Sequence, residues 1–184
     1  MIISISGNAG SGKTTVAEIL AKKLKMKSYY IGGLRRDIAR KKGMTLEEYN
    51  RLGEKDPSTD KEIDDYQTEL GKEKDNFIIQ GRTSFMFIPH SLKVYIYVDP
   101  KVGAARIWKD LQKNADKRNE GKLSSLKDVE KSVDERMRSD KARYKKYYNI
   151  DAYDKKNYDL VIDSSNISAE ETAKIVVDYV KKKR

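Results

Sequence analysis

Apolar residues in this chain occur either in short continuous runs or at helical spacing, and the two patterns alternate along its length. The continuous runs are rich in β-branched and aromatic residues and stop at glycine, Asp-Pro or polar positions, as buried strands do. The strongest of them is closed by Asp99-Pro100. The runs predict five strands: Ile2–Ile5, Ser28–Ile31, Asn76–Gln80, Leu92–Val98 and Tyr158–Ile162.

The segments between these runs carry apolar residues three and four positions apart, which predicts helices. Three capping boxes predict helix starts, because a Ser or Thr followed three residues later by Glu satisfies free N–H groups. The boxes are Thr45 with Glu48, Thr59 with Glu62, and Ser168 with Glu171. The predicted helices are Lys13–Lys25, Leu34–Lys42, Thr45–Leu52, Thr59–Leu70, one starting near Val102, Leu126–Tyr148 and one starting at Ser168. A polar loop is predicted over Lys113–Leu123, which contains Gly121.

The alternation of strands with helices predicts the fold class. Strands that alternate with helices form a parallel sheet with helices on both faces. We therefore expect an α/β protein of three layers, α/β/α, built on a five-stranded parallel sheet with its ligands at the carboxyl ends of the strands. A chain of 184 residues suits a single domain, 1–184.

Charge and cysteine content narrow the classes of function. The formal net charge of +10 favours an anionic partner, either a nucleotide or a nucleic acid. The absence of cysteine excludes disulfides and thiolate catalysis, and the single histidine, His90, excludes a histidine cluster for a metal. No run approaches the ~18 apolar residues of a membrane span. Because the chain leads at once into a glycine-rich loop, we expect a cytoplasmic protein without a signal peptide.

The glycine-rich loop Gly7–Thr14 lies between the first predicted strand and the first predicted helix. Its pattern is G-x-x-x-x-G-K-T, in which backbone N–H groups curl around a phosphate at a helix N-terminus. Lys13 would bring a catalytic charge to the outer phosphates, and the Thr14 hydroxyl would be a ligand of Mg²⁺. The pattern predicts a P-loop NTPase. The candidate triphosphate-binding residues are Gly7, Asn8, Ala9, Gly10, Ser11, Gly12, Lys13, Thr14 and Thr15.

Motifs and domains that the chain lacks exclude several classes of P-loop NTPase. It has no N-K-x-D motif of signalling GTPases, and it is too short for the accessory domains of motor or helicase ATPases. A small kinase is therefore indicated. A phosphate acceptor is already ionised near neutral pH, because the second pKa of a phosphate monoester is about 6. A kinase for such an acceptor needs cations that clamp and stabilise the phosphates, and it needs no catalytic base.

Arginines are placed where such cations are needed. Arginine binds phosphate bidentately and keeps its proton. Arg36 and Arg82 follow the second and third predicted strands, and therefore lie on the ligand side of the sheet. Arg136, Asp140 and Arg143 fall on one face of the long basic helix, where spacing alone is equally typical of a surface ion-pair ladder.

Together these residues resemble the archaeal-type cytidylate kinases of the nucleoside monophosphate kinase superfamily. The resemblance depends on the phosphate loop, on Gly81-Arg82 and on the Arg-x3-Asp-x2-Arg run that Tyr144 follows. Further matching stretches are Gly32–Gly43, Asp56-Pro57, Asp60–Gln67, Asn149-Ile150-Asp151 and Tyr158–Ile162. The resemblance implies a helical monophosphate-binding subdomain at about 34–70 and a lid at about 106–143. It also implies transfer of the γ-phosphoryl group of ATP to CMP or dCMP, with Mg²⁺.

The resemblance also implies roles for individual residues. Arg36 and Gly81-Arg82 would hold the phosphate of the acceptor. Arg136 and Arg143 would reach the phosphoryl group in transfer, and Asp140 would orient these arginines or contact the acceptor. The partners implied are ATP and CMP or dCMP, without nucleic acid or membrane, and a monomer is expected.

The chain departs from the family pattern in three places. Gly33 stands where the family usually has Asp, which removes a contact on the acceptor side. Gln80 stands where an acidic residue usually precedes Gly-Arg, which removes a carboxylate near the water shell of the metal. The segment Lys109–Leu123 is longer than the family pattern predicts.

Two alternatives stay open at the level of sequence. One is a kinase for AMP, UMP or dTMP, with base-reading candidates Asp64, Gln67 and Thr83 in the acceptor subdomain. The other is an ATP-dependent RNA-binding or assembly factor that uses the basic faces Lys22–Lys27 and Lys141–Lys146. Tyrosines interleaved with the second face would then stack on bases.

Overall fold

A parallel sheet lies at the centre of the molecule, as the computed structural model shows for residues 1–118 and 123–183. Within these residues the sheet has five strands in the order β2-β3-β1-β4-β5, and every neighbouring pair is parallel. The strands are β1 (Ile2–Gly7), β2 (Lys27–Tyr30), β3 (Phe77–Gln80), β4 (Leu92–Tyr97) and β5 (Leu160–Asp163). The predicted α/β fold with a five-stranded parallel sheet is confirmed.

Helices connect the strands and cover the sheet. They are α1 (Lys13–Leu24), α2 (Ile31–Lys41), α3 (Leu46–Lys55), α4 (Ser58–Glu73), α5 (Ser84–Phe87), α6 (Pro100–Arg118), α7 (Leu126–Tyr148) and α8 (Ala169–Lys183). A short 3₁₀ helix, Lys155–Asn157, precedes β5. No helix in the described ranges has the length and apolar content to cross a membrane.

The two faces of the sheet carry separate apolar cores. On one face α1 and α8 pack on β1 and β4, with Leu20 and Val176 fully buried against Ile3 and Ile5. On the other face α2, α3 and α4 pack on β3 through a second cluster. Its members include Ile38, Tyr49, Ile63, Phe77 and Ile79. Because β1 lies between β3 and β4 and is covered on both faces, all six of its residues are buried.

The predicted helix starts are confirmed at two capping boxes and wrong at the third. Thr45 and Ser168 accept hydrogen bonds from the N–H groups three residues on, and the paired glutamates accept from the N–H groups of the capping residues. The helix predicted to begin at Thr59 begins one residue earlier, after Pro57, so Thr59 lies inside α4. Its hydroxyl donates to the Asp56 carbonyl at 3.0 Å instead of capping.

Two further differences concern short or polar segments. The loop predicted from Lys113 is wrong in its first part, because α6 continues to Arg118. Gly121, the centre of that predicted loop, lies outside the described residues. Helix α5 has only four residues, which is too short for a periodic pattern to predict.

Candidate active site

A cleft opens at the carboxyl ends of the strands, where β1 has one neighbour on each side and the helices leave the sheet in different directions. Its volume is about 620 Å³. One wall is the loop before α1, and the opposite wall combines α2, α4, the residues after β3, and α7. The predicted site residues that line it are Ala9, Gly10, Gly12, Lys13, Thr14, Thr15, Arg36, Gly81, Arg82 and Arg136.

The glycine loop has the shape that a phosphate group requires. Gly10 and Gly12 adopt φ values of +77° and +80°, which favour glycine. A Cβ on Gly10 would collide with the backbone of Gly103, whereas a Cβ on Gly12 would meet nothing within 4 Å. The concave side of the loop at Gly12 therefore faces open space. Helix α1 begins at Lys13 without a side-chain cap, so its first N–H groups point toward that space.

Contacts from distant parts of the chain fix the loop. Lys13 Nζ donates to the Asn8 carbonyl at 2.5 Å and to Ser11 Oγ at 3.3 Å. The Tyr95 hydroxyl donates to Asn8 Oδ1 at 2.9 Å, and Ser164 Oγ donates to the Ser11 carbonyl at 3.2 Å. The loop is thus held at Asn8 by Tyr95, which lies within β4, and at Ser11 by Ser164, which follows β5.

A chain of buried ion pairs forms the opposite wall. Arg82 Nε lies 3.0 Å from Asp140 Oδ2, and Arg143 Nη2 donates to Asp140 Oδ1 at 2.6 Å. Arg143 Nη1 also donates to both oxygens of Asp60 at 2.7 Å. Arg35 Nη1 completes the chain by donating to Asp60 Oδ1 at 2.5 Å. The alternating charges link the residue after β3 to α7, α4 and α2.

Asp140 is the centre of this chain and is only 1% exposed. Burial on its own would raise the pKa of Asp140, but Arg82, Arg143 and Arg136 together lower it to about 2. The hydroxyl of Tyr153 also donates to Asp140 Oδ2, at 2.9 Å. Asp140 is therefore ionised at neutral pH and fixes the orientation of the arginines around it.

The structure separates the predicted arginines into two groups. Arg36, Arg82 and Arg136 line the cleft. Arg143 is 1% exposed and, like Asp140, lies behind the cleft wall, with its guanidinium held between two carboxylates. The interpretation of this helix face as a surface ion-pair ladder is wrong, because the pairs are buried.

The predicted site residues did not include Arg35 and Asp60, which the structure places in the lining of the cleft. Arg35 Nε donates to Asn50 Oδ1 at 2.9 Å and its guanidinium lies over the Tyr49 ring, so it is fixed on three sides. Its position next to Arg36 was a signal that it faces the same region. The partner of Asp60 is 83 positions away, and nothing in the local pattern indicates that pairing.

Tyr30 explains why this chain has glycine at position 33. Its hydroxyl accepts a hydrogen bond from Arg36 Nη1 at 2.7 Å, and its ring lies against Gly32 and Gly33. A Cβ at Gly33 would lie 2.7 Å from Tyr30 Cδ1. An aspartate at this position would require the Tyr30 ring to move, so glycine leaves room for the ring where it lies.

Gln80 ends β3 at the floor of the cleft. Its side chain is buried, and Oε1 accepts no hydrogen bond from any of the residues that the structure describes. A buried acceptor without a donor costs about 1–3 kcal/mol, so its presence beside the phosphate loop points to a donor on the ligand side.

Comparison with known proteins shows to which family the chain is related. The model of the cytidylate kinase-like family matches residues 2–166. The cytidylate kinase of Archaeoglobus fulgidus is 39% identical over 185 residues, which covers 100% of this chain and 97% of that protein. The cytidylate kinase of Methanocaldococcus jannaschii is 36% identical and covers 99% of this chain and 100% of its own length.

Solved structures with low sequence identity share the fold. An uncharacterised protein from Eubacterium ventriosum superposes with a TM-score of 0.72 at 18% identity, covering 98% of each chain. The shikimate kinase from Acinetobacter baumannii, in complex with shikimate, superposes with a TM-score of 0.58 at 16% identity, covering 100% of this chain and 94% of that one. The fold, the glycine loop and the full-length sequence match agree, and the chain belongs to the cytidylate kinase-like family.

Proposed function

We propose that this protein transfers the γ-phosphoryl group of ATP to CMP or dCMP, giving ADP and CDP or dCDP. The observation that carries the proposal is a single cleft in which a phosphate loop faces guanidinium groups from three separate elements. The full-length similarity to proteins named cytidylate kinase supports a cytidine nucleotide as the acceptor.

In this proposal the glycine loop binds ATP. The N–H groups at the start of α1 and the Lys13 ammonium bind the β- and γ-phosphates. Adenosine triphosphate enters with Mg²⁺, which shields the phosphate charge when bound. The described ranges contain no cluster of three or more His, Cys, Asp or Glu for a metal. The Thr14 hydroxyl would be a ligand of this ion, and Gln80 Oε1, a buried acceptor without a donor among the described residues, could accept a hydrogen bond from a group bound beside it.

The arginines bind the phosphate of the acceptor nucleotide. Arg36 and Arg82, with the backbone at Gly81, bind the phosphate of CMP bidentately and direct its oxygen at the γ-phosphorus. Arg136 projects from α7 toward the phosphoryl group in transfer and stabilises the charge that develops there. Because the attacking oxygen carries no proton near neutral pH, no residue has to act as a base.

Arg143 and Asp140 act through the residues that they hold. Arg143 fixes Asp60 and Asp140, and Asp140 fixes Arg82 at the cleft wall. In this role both are positioning residues. In this proposal residues 34–70 form the subdomain that receives the monophosphate, and the described parts of 106–143, which are residues 106–118 and 123–143, form a lid that closes over the phosphates to exclude water.

An ADP-release assay with a panel of acceptors tests the proposal. CMP and dCMP should stimulate ADP formation from ATP far above the rate without acceptor, and UMP, AMP and dTMP should do so less. Lys13→Ala should abolish the stimulation. If no monophosphate increases ADP formation, or if RNA does so instead, the kinase proposal is wrong.

A further inference from the structure

Asp64 is a buried carboxylate in the cleft wall that the proposed mechanism does not use. It lies on α4, lines the same cleft as the arginines and is 9% exposed. The Tyr148 hydroxyl donates a hydrogen bond to Oδ2. Gln67 Nε2 lies 3.5 Å from Oδ1, which is at the limit of a hydrogen bond. Oδ1 therefore retains most of its capacity to accept.

Asp64 differs from the other buried acids of this wall. Asp60 and Asp140 are each bound by two arginines, whereas no cation of the described ranges forms an ion pair with Asp64. A buried carboxylate held only by neutral donors is expensive to keep charged. Such a group at a ligand cleft points to a donor supplied by the ligand.

The charged and hydrogen-bonding groups around Asp64 determine its pKa. Burial raises its pKa to about 7, and the hydrogen bond from Tyr148 on α7 offsets this only in part. Asp60 and Asp65, on its own helix, also raise the pKa, and Arg35 on α2 lowers it. Asp64 therefore changes charge in the physiological pH range.

The position of Asp64 is fixed by a relay of neutral side chains. Ser84 Oγ donates to Gln67 Oε1 at 2.6 Å, which turns the Gln67 amide nitrogen toward Asp64. Ser84 also packs at Gly81, where a Cβ would collide with its hydroxyl. Asp64 is thus connected through Gln67 and Ser84 to the turn that carries Arg82, and Asp64 and Arg82 line the same cleft.

Apolar side chains border this part of the cleft. Ile63 precedes Asp64 on α4, and Ile31 packs at Gly81 and lines the same cavity. A base bound at Asp64 would be recognised by the hydrogen-bonding groups on the edge that faces the carboxylate. Cytosine carries an exocyclic amino group, which is a donor, and uracil carries a carbonyl oxygen at the same position, which is an acceptor.

We infer that Asp64 reads the base of the acceptor, its carboxylate accepting a hydrogen bond from the exocyclic amino group of cytosine and repelling the carbonyl oxygen of uracil. The inference rests on the proposed function and names the residue that selects the base. Tyr148 and Gln67 are positioning residues that hold the carboxylate in place.

The experiment measures kcat/KM for CMP and for UMP in the wild type and in Asp64→Asn. An amide can present either a donor or an acceptor, so the ratio of CMP to UMP efficiency should fall by at least about tenfold, mainly through loss with CMP. Asp65→Asn is the matched control, because Asp65 is the next residue of α4 and its exposed side chain pairs with Lys61. It should leave the ratio unchanged.

The outcomes separate this inference from the proposed function. If the wild type phosphorylates neither CMP nor UMP, the proposed function fails. If it phosphorylates CMP, and Asp64→Asn reduces both efficiencies equally, then Asp64 has only a structural role and the inference is wrong. A general loss of folding would reduce both efficiencies by the same factor, so the ratio distinguishes the two cases.

The pH dependence of the same ratio gives a second readout that does not need Asp64 to be replaced. In the wild type the preference for CMP over UMP should rise as the pH increases through about 7, because the carboxylate forms there. Tyr148→Phe removes a donor that favours the carboxylate, so it should move the midpoint to higher pH. A ratio independent of pH in both proteins would overturn the inference.

Discussion

Two buried carboxylates, Asp64 in the cleft wall and Asp140 behind it, are given opposite properties by their partners. Asp140 is surrounded by arginines, which lower its pKa to about 2. Asp64 has a tyrosine and a glutamine as its hydrogen-bond partners, and burial raises its pKa to about 7. A fixed charge suits a residue that positions guanidinium groups for phosphate. A carboxylate that changes charge suits one that receives a neutral donor.

At the residue scale, we predict that Arg82→Ala weakens binding of the acceptor far more than binding of ATP. Arg82 is on the wall opposite the glycine loop, and a lost bidentate phosphate contact should raise KM for CMP by roughly tenfold to a hundredfold. Steady-state kinetics with each substrate varied in turn measure the two effects. Arg138→Ala is the control, because Arg138 is on α7 but exposed and paired with Asp134. Equal losses for CMP and ATP would contradict the role.

Some residues of the site could be predicted from sequence, and their signals were local. Lys13 and Thr14 belong to a motif of fixed spacing, and Arg82 directly follows a strand whose carboxyl end had to face the ligand. The pairing of Arg143 with Asp60 was not predictable, because it depends on how α7 packs on α4 across 83 positions of sequence. Such contacts are fixed by tertiary packing, which the local pattern does not encode.

Helix α7 is held by polar contacts to α3 and α4. Arg143 binds Asp60 on α4, and the Tyr147 hydroxyl donates to the Gly53 carbonyl on α3 at 2.8 Å. The bounds predicted for α7 are confirmed, because both of its ends carry strong local signals. Ser125 caps its start, and Asn149 ends it in the left-handed conformation with φ +55°.

At the element scale, we predict that Asp60→Asn destabilises the packing of α2, α4 and α7. The change leaves two buried arginines without their shared carboxylate, which costs on the order of 3–5 kcal/mol. Chemical denaturation measures the loss. The control is Asp37→Asn, because the side chain of Asp37 is exposed and pairs only across the surface with Arg40. A loss as small as that of the control would mean that the buried pairs contribute little.

Boundaries that depend on neighbouring elements were predicted less well. The end of α6 was predicted too early because Lys113 begins a polar stretch, and polarity alone does not end a helix. The start of α4 was placed one residue late, because the Ser58 N–H is bound by Asp56 Oδ1 at 2.9 Å before the predicted capping box begins. The central strands β1 and β3 were predicted well because fully buried parallel strands require continuous apolar runs.

For the whole molecule, we predict that stability falls as the pH rises from 5 to 8. Asp64 has a raised pKa in the folded state, so between about 4 and 7 the folded protein binds a proton that the unfolded chain has lost. Raising the pH therefore favours unfolding, by on the order of 2 kcal/mol over this range. Thermal melts at pH 5 and 8 measure the difference, which Asp64→Asn should reduce and Asp65→Asn should retain.

For Asp140 the change of stability with pH has the opposite sign. Its pKa is lowered in the folded state, so its contribution is complete above the ordinary aspartate pKa and is lost as the pH falls toward 2. Melts of the wild type below pH 4 should therefore show a second decline. If Asp64→Asn shows the same decline between pH 5 and 8 as the wild type, other groups dominate in that range.

The placement of β1 in the middle of the sheet has a consequence for the way the chain is made. This strand is synthesised before its neighbours, which begin at Phe77 and Leu92, and before Ser164, the serine that supports Ser11. The apolar strand and the loop after it must wait for nearly the whole domain to leave the ribosome. The loop that binds nucleotide therefore acquires its full support only after Ser164 has been made, and until then the apolar strand before it lacks its partners.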